Sequence, residues 1–326
     1  MPTAVVDALR ARADSQGEVR LIVQFAAPGK GFAELPATAR PSREQQIANL
    51  QASLASRALQ PGMRELVRFR TIPFMVFSAD ANAVDRLAGL PEVIDLQEDI
   101  PEYPTLASSI PIIGADTAWT AGFDGTGQVI AVLDTGVDTS HPYFPPAKRV
   151  AEACFSSNDA ANSQSLCPGQ ASSSTAAGSG QNCTADSTLC PHGTHVAGIA
   201  AGNNGSGPNI GVAKEAGLIA IQVFSCISGG NCPNLGSIGS YPSDQTRALE
   251  HVLLLSQSFD IAAVNMSLGG AVYQSQEACD DANALRKAAI DNLRAVGIAT
   301  IIASGNDGSK NAVRQPGCIS SAISVG

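Results

Sequence analysis

Residues 129–138 read VIAVLDTGVD, and this stretch decides the fold that we expect for the chain. Val129 to Leu133 form a continuous apolar run, which is typical of a strand buried on both faces. Gly136 allows the chain to leave that strand sharply. Asp134 is therefore predicted to lie at the carboxyl end of a central strand, the edge at which open α/β sheets bind ligands. Because a buried carboxylate is costly without a partner, we expect a cation or a hydrogen-bond donor beside it.

A later motif offers this partner, and a third polar group follows it. Residues 191–202 read PHGTHVAGIAAG, in which His192 and His195 open a run of small residues suited to a helix packed closely on a sheet. Residues 300–308 read TIIASGNDG, an apolar strand that ends in a glycine and in Asn306. An acid, a histidine and an amide thus each stand at the end of a predicted element.

The order and placement of Asp134, His192 and Asn306 resemble those of the subtilisin-like serine proteases, the peptidase S8 family, whose catalytic groups follow the chain order Asp, His, Ser. The resemblance implies that Asp134 orients the general base His192 and that Asn306 donates a hydrogen bond to the oxyanion. In a dry site, one such donor stabilises the transition state by about 3 to 4 kcal/mol. Other readings stay open: His192 could be a packed histidine or form a metal pair with His195, and Asn306 could simply make a turn.

The remaining polar residues of the two motifs are given structural roles. His195, one turn after His192, is expected to be a packed residue. Asp138 and His141 are expected to shape the turn that follows the strand.

The same resemblance implies a surface that binds the polypeptide substrate. Its residues are Ser267, Leu268, Gly269, Ala303, Ser304 and Gly305. The first three follow a predicted strand and resemble the family's main-chain wall, which pairs with an extended peptide as an added strand. The last three would form one side of the primary specificity pocket.

The serine nucleophile has no match among these motifs. The family carries it in a GTSMAAP-like segment that opens a later helix, and residues 1–326 contain nothing similar. We therefore expect a sequence truncated before its catalytic serine. The fragment alone should be inactive, because loss of the serine removes most of the triad's contribution.

The region before the predicted catalytic domain has a different pattern. Its hydrophobic spacing predicts the order βαββαβ over residues 18–97, which is a ferredoxin-like two-layer unit. A small α+β module in this position resembles the family's inhibitory propeptide, so we interpret residues 1–103 as a propeptide-like inhibitor and chaperone, and residues 104–326 as the incomplete catalytic domain. The Pro-rich stretch DIPEYPTLASS is expected to lie in the substrate cleft and to be cut during maturation. A generic leader domain is the alternative.

The remainder alternates strands with helices. The predicted elements are strand 218–224, helix 244–256, strand 261–266, helix 276–296 and strand 298–303. Such alternation predicts right-handed crossovers and a parallel sheet covered on both faces. The expected fold class is α/β, a subtilisin-like three-layer sandwich with a mostly parallel central sheet, preceded by the ferredoxin-like prodomain.

The composition limits the partners of the chain. Hydrophobic residues make up 44% of its 326 residues, which is enough for a buried core. No apolar run approaches the roughly 18 residues of a membrane span. The net charge of −9 argues against a nucleic-acid or anionic-membrane partner. We expect a monomer that acts on polypeptides and is inhibited by its own propeptide.

The eight cysteines favour an oxidising compartment. None forms the CxxC pairs of a zinc ribbon, so disulfides and secretion are expected, although no signal peptide is seen. Eight cysteines allow about 105 pairings, and the spacing does not decide among them. The pairs Cys226–Cys232 and Cys279–Cys318 are favoured, which leaves the first four cysteines to pair among themselves.

No cofactor is needed for this chemistry. Many relatives carry a calcium-binding Asp directly after the dipeptide HP, where this chain has Tyr143. The substitution puts the usual calcium site in question, while structural calcium elsewhere stays possible.

Two other function classes account for part of the pattern. Aspartic proteases also use DTG, but they need two carboxylates that share a proton. With a single DTG, this class would require a symmetric dimer and would leave HGTHVAG unexplained. A non-enzymatic peptide-binding or inhibitor protein would explain the absent serine, but not the intact motifs around Asp134, His192 and Asn306.

Overall fold

The computed structural model describes residues 2–100, 113–159, 162–183, 188–205, 210–227 and 238–326, together with the backbone of residues 103 and 104. The chain forms two compact units. The first comprises residues 1–100 and Ala284–Val296, and the second comprises Pro101–Asn283 and Gly297–Gly326.

In the first unit, helices pack on a four-stranded antiparallel sheet. Its elements are α1 (Thr3–Gln16), β1 (Val19–Phe25), α2 (Arg40–Ala58), β2 (Met63–Arg68), β3 (Phe74–Ala79), α3 (Ala81–Ala88) and β4 (Val93–Glu98). The strand order is β2-β3-β1-β4. From β1 onward the element order is the βαββαβ expected from the sequence, whereas α1 is an addition that the pattern does not predict.

The two faces of this sheet follow the alternation along β1. Leu21 and Val23 belong to the core that the helices cover. Ile22 points to the opposite face, where its buried neighbours include Val76 and Leu285 of the helix Ala284–Ala295. The inner strands β1 and β3 are therefore buried on both faces.

The second unit contains most of the remaining elements. They are β5 (Tyr103–Pro104), α4 (Ala115–Thr120), β6 (Val129–Asp134), β7 (Arg149–Phe155), β8 (Ser163–Ser165), β9 (Ser173–Ser174), α5 (His192–Ala201), β10 (Gly217–Gln222), β11 (Ser225–Ile227), β12 (Ile238–Gly239), α6 (Pro242–Leu255), β13 (Ile261–Met266), β14 (Leu268–Gly269), β15 (Val272–Tyr273), α7 (Gln276–Ala282), β16 (Ala299–Ala303), β17 (Val313–Arg314) and β18 (Ile323–Val325). The helix Ala284–Ala295 of the first unit is α8.

A seven-stranded sheet forms the centre of the second unit. Its order is β18-β16-β13-β6-β10-β7-β9, and all neighbouring pairs are parallel except β7 with β9. The expected α/β class with a mostly parallel central sheet is confirmed. The helix predicted over residues 276–296 is instead two helices that meet at Asn283, whose side chain donates to the carbonyl of Cys279 at 2.7 Å.

Three disulfides lie in the described part of the chain: Cys154–Cys167, Cys183–Cys190 and Cys279–Cys318. The first four cysteines therefore pair among themselves, and Cys279 pairs with Cys318, as expected. Cys226 is also disulfide-bonded, and its predicted partner Cys232 lies outside the described residues. None of the described helices combines the length and apolar character needed to cross a membrane.

Candidate active site

Asp134 and His192 form a buried pair at the carboxyl end of β6. The Oδ1 atom of Asp134 lies 2.7 Å from Nδ1 of His192, the first residue of α5. The same oxygen accepts the backbone N–H of Thr135 at 2.7 Å. In the tautomer that donates from Nδ1 to this carboxylate, Nε2 is the nitrogen that can take up a proton.

Two glycines permit this close approach. A Cβ atom on Gly193 would lie 2.2 Å from the carbonyl oxygen of Gly136 and 3.0 Å from Cβ of Asp134. Gly136 has a φ of 91°, and a Cβ there would lie 2.0 Å from the carbonyl oxygen of Gln181. Both glycines are therefore required by packing: a side chain on Gly193 would push α5 away from the carboxylate, and one on Gly136 would displace the backbone at Gln181.

The threonines of the two motifs connect them. The Thr135 hydroxyl donates to the carbonyl of Cys190 at 2.8 Å and accepts the N–H of Gly193 at 2.9 Å. The Thr194 hydroxyl accepts the N–H of Asp138 at 2.8 Å. Each motif thus supplies a hydroxyl that fixes the backbone of the other, and the orientation of His192 follows from these bonds.

His195 lies one turn further along α5 and is exposed, so its expected role as a packed residue is wrong. The buried face of the helix carries Gly193, Val196 and Ala197. At about 100° per residue, His195 is turned away from that face. The pairing of His192 with Asp134 also gives no support to a metal pair of the two histidines.

Asp138 shapes the turn after β6, as the sequence predicts. Its Oδ1 accepts the N–H and the hydroxyl of Ser140 at 2.9 and 2.6 Å. These bonds stabilise the charged carboxylate and lower the pKa of Asp138.

The other predicted site residues lie at the ends of β13, which pairs with β6, and of β16, which pairs with β13. Because the three strands are parallel, their carboxyl ends share one edge. Leu268 and Gly269 form β14 and pair antiparallel with Pro104 and Tyr103 of β5. Asn306 lies at the exposed bend after β16.

Residues 125–326 match the sequence model of the Peptidase_S8 subtilase family, which is more than half of the chain. The chain belongs to the subtilase family. The alkaline protease of Alkalihalobacillus alcalophilus is 27% identical over 287 residues, covering 87% of this chain and 62% of that protein. Subtilisin DY of Bacillus licheniformis is 28% identical over 225 residues, covering 68% of this chain and 64% of that protein. The chain thus spans a little over three fifths of these relatives.

A solved structure shows the same fold. Fervidolysin from Fervidobacterium pennivorans, a keratinolytic enzyme related to subtilisin, aligns with a TM-score of 0.58 at 16% identity. The alignment covers 92% of this chain and 41% of fervidolysin.

Tyr143 follows the dipeptide HP, at the position where the resemblance expects a calcium-binding Asp. The Tyr143 ring lies 5.2 Å from the His141 ring and provides no carboxylate. Across the described residues, no group of three or more His, Cys, Asp or Glu side chains is placed to hold a metal ion.

The predicted pocket residues of this subtilase have a neighbour that the motifs do not reveal. Ser304 accepts the backbone N–H of Arg314 at 2.9 Å. The Arg314 guanidinium bonds to the carbonyl of Gly270 and forms an ion pair with Asp307. No sequence signal marks Arg314, because it lies outside every quoted motif.

Proposed function

We propose that the natural protein is a secreted serine endopeptidase, made as a zymogen, that hydrolyses polypeptides through an Asp-His-Ser triad. The buried contact of Asp134 with His192 is the observation that carries this proposal. Family membership supports it, since the contact joins the two motifs that resemble the family's catalytic Asp and His.

In the proposed acylation step, a serine hydroxyl attacks the peptide carbonyl and transfers its proton to Nε2 of His192. Asp134 stabilises the imidazolium that forms, and the proton then passes to the leaving amine. The amide of Asn306 donates to the oxyanion. The family's serine motif has no match within residues 1–326. The serine is therefore proposed to come from outside these residues.

Residues 1–103 are proposed as the inhibitory propeptide and residues 104–326 as part of the catalytic domain. The pairing of Tyr103–Pro104 with Leu268–Gly269 supports this division, because an extended segment lies on the predicted substrate wall as an added strand. A docked template also suits the catalytic sheet, whose non-local parallel pairings are expected to form slowly.

Secretion is proposed from the disulfides. Cys154–Cys167, Cys183–Cys190 and Cys279–Cys318 are stable in an oxidising compartment and would be reduced in a typical cytosol.

A fluorophosphonate probe tests the catalytic assignment on the natural protein. We expect one labelled serine, loss of labelling in His192→Ala, and a decrease in kcat of about 10⁴-fold in Asp134→Asn, as expected for loss of the correct histidine tautomer. The matched control is His195→Ala on the same helix, which removes an exposed imidazole and should keep the label.

Three results would contradict the assignment. Labelling that survives in His192→Ala would exclude His192 as the base. Activity that only pepstatin-type inhibitors block would indicate an aspartic protease instead. Binding of peptides without labelling or cleavage would indicate a peptide-binding protein.

Amino-terminal sequencing of the secreted protein tests the zymogen part of the proposal. The mature protein should start near Tyr103, and an active protein that retains residues 1–103 would contradict it.

A further inference from the structure

Two main-chain segments of the second unit face each other across Arg314. One is residues 268–270, and the other is residues 303–305; together we call them the pocket walls. The N–H of Arg314 donates to the carbonyl of Ser304 at 2.9 Å, and the N–H of Gly270 donates to the carbonyl of Gln315 at 2.7 Å. The consecutive residues Arg314 and Gln315 are therefore bonded one to each wall, and Arg314 lies at the floor between them.

The stem of Arg314 occupies the space between the walls. A Cβ on Gly269 would lie 3.2 Å from Cβ and 3.3 Å from Cδ of Arg314. A Cβ on Gly305 would lie 2.8 Å from its Cγ. The methylene groups thus pack against the α-carbons of both glycines, where a bound peptide would otherwise insert a side chain.

The guanidinium of Arg314 is fixed by three bonds. Nε and Nη2 donate to the two carboxylate oxygens of Asp307, and Nη1 donates to the carbonyl of Gly270. A bidentate pair of this kind restricts the side chain to one orientation. Only 30% of the Arg314 side chain is exposed.

Asp307 also balances the charge of this side chain. The hydrogen bonds from Arg314 lower the pKa of Asp307, so the carboxylate stays ionised. With one positive and one negative group in contact, the floor provides no uncompensated charge for an acidic substrate side chain.

We propose that Arg314, held by Asp307 and Gly270, fills the floor of the primary specificity pocket and restricts the enzyme to small side chains immediately before the scissile bond. The proposal rests on the proposed peptidase function and names its substrate class: polypeptides cleaved after alanine, glycine or serine. A large aromatic or branched side chain would have to displace the arginine stem from both walls.

The test uses peptides that differ only in the residue before the scissile bond: alanine, phenylalanine or glutamate. The natural protein should cleave the alanine peptide with the highest kcat/KM. Arg314→Ala should raise the phenylalanine-to-alanine ratio of kcat/KM by about 10- to 100-fold, because removing the arginine stem makes room for the phenylalanine ring to bind in an apolar pocket. The ratio is taken within one variant, so a partly folded preparation does not change it.

A second variant distinguishes the effect of the space that the Arg314 stem fills from the effect of its positive charge. Asp307→Asn leaves the stem in place and removes its counter-charge, so it should raise the glutamate-to-alanine ratio several-fold and leave the phenylalanine-to-alanine ratio low. An unchanged phenylalanine-to-alanine ratio in Arg314→Ala would overturn the proposal. So would a natural protein that already prefers phenylalanine, or one that prefers glutamate and loses this preference in Arg314→Ala.

A binding measurement separates failure of this proposal from failure of the peptidase function. Product-like peptides that end in alanine or phenylalanine fill the same pocket without any chemistry, and fluorescence polarisation gives their affinities. If no peptide is cleaved, the peptidase function is refuted. The pocket proposal still requires that Arg314→Ala increase the affinity for the phenylalanine-ended peptide at least tenfold more than the affinity for the alanine-ended one. An equal change in the two affinities would refute it.

Discussion

The substitution Gly193→Ala tests whether close packing of α5 against the strand end assembles the catalytic pair. The added methyl group would lie 2.2 Å from the carbonyl oxygen of Gly136 and 3.0 Å from Cβ of Asp134. The nearest atom belongs to the backbone, so only a shift of the helix or the loop relieves the contact. Overpacking of this kind destabilises a protein by about 1 to 3 kcal/mol. Displacing His192 by about 1 Å should also lower the rate of the natural protein by about 100-fold.

Urea unfolding followed by Trp119 fluorescence measures the stability effect. Trp119 is the only tryptophan, and its indole N–H donates to the carbonyl of Val212 at 2.7 Å within the second unit. The matched control is Gly198→Ala on the same helix, where a Cβ meets nothing within 4 Å outside the helix backbone. That change should stabilise by about 0.5 to 1 kcal/mol. The two urea midpoints should therefore move in opposite directions, and a Gly193→Ala midpoint at or above that of Gly198→Ala would refute the reasoning.

Three further substitutions test other contacts. Thr135→Val removes the hydroxyl that connects the two catalytic motifs; the unsatisfied buried groups should cost about 1 to 3 kcal/mol in the same urea assay. Burial lowers the pKa of His251, so the unfolded chain binds the proton more readily. The free energy of unfolding should therefore fall as the pH drops below about 6.5 and level off below the lowered pKa. In urea titrations at about pH 7.5 and 5, His251→Leu should not show the part of this fall in unfolding free energy that comes from His251. Asp99→Asn removes the negative charge that accepts two hydrogen bonds from the buried Arg20; weakening this charged contact should cost about 1.5 to 3 kcal/mol and should appear as faster amide exchange in β1.

The sequence is informative about this site where chemistry and packing constrain the same residues. A carboxylate that follows five apolar residues, three of them β-branched, is typical of a strand end, and the glycines of DTG and HGTH fit where backbone approaches backbone. Gly136 and Gly193 show this, since a Cβ on either would clash with a carbonyl oxygen. The predicted contact of Asp134 with His192 rests on the cost of burying a carboxylate without a partner and on the resemblance of the two motifs to the family; the structure adds the packing role of the glycines.

Positions set by tertiary contacts alone could not be predicted. Arg314 follows the pocket motif by several residues, and only the pairing of β17 with β15 places it beside Gly269. The break between α7 and α8 depends on Asn283, whose side-chain bond to Cys279 competes with continued helix. Helix α1 has a weakly amphipathic sequence, and its buried residues Leu9 and Ala13 contact a core formed by later elements.

The arrangement around Asp134 also explains why two short motifs, 58 residues apart, must be read together. A fully buried carboxylate is costly unless fixed donors replace its water. Here the donors are the N–H of Thr135 and the imidazole of His192. The second donor is in place only because Gly193 is small and the Thr135 hydroxyl binds its N–H. Neither motif can therefore form its half of the pair alone, and it is their combination that specifies both the tertiary contact and the base.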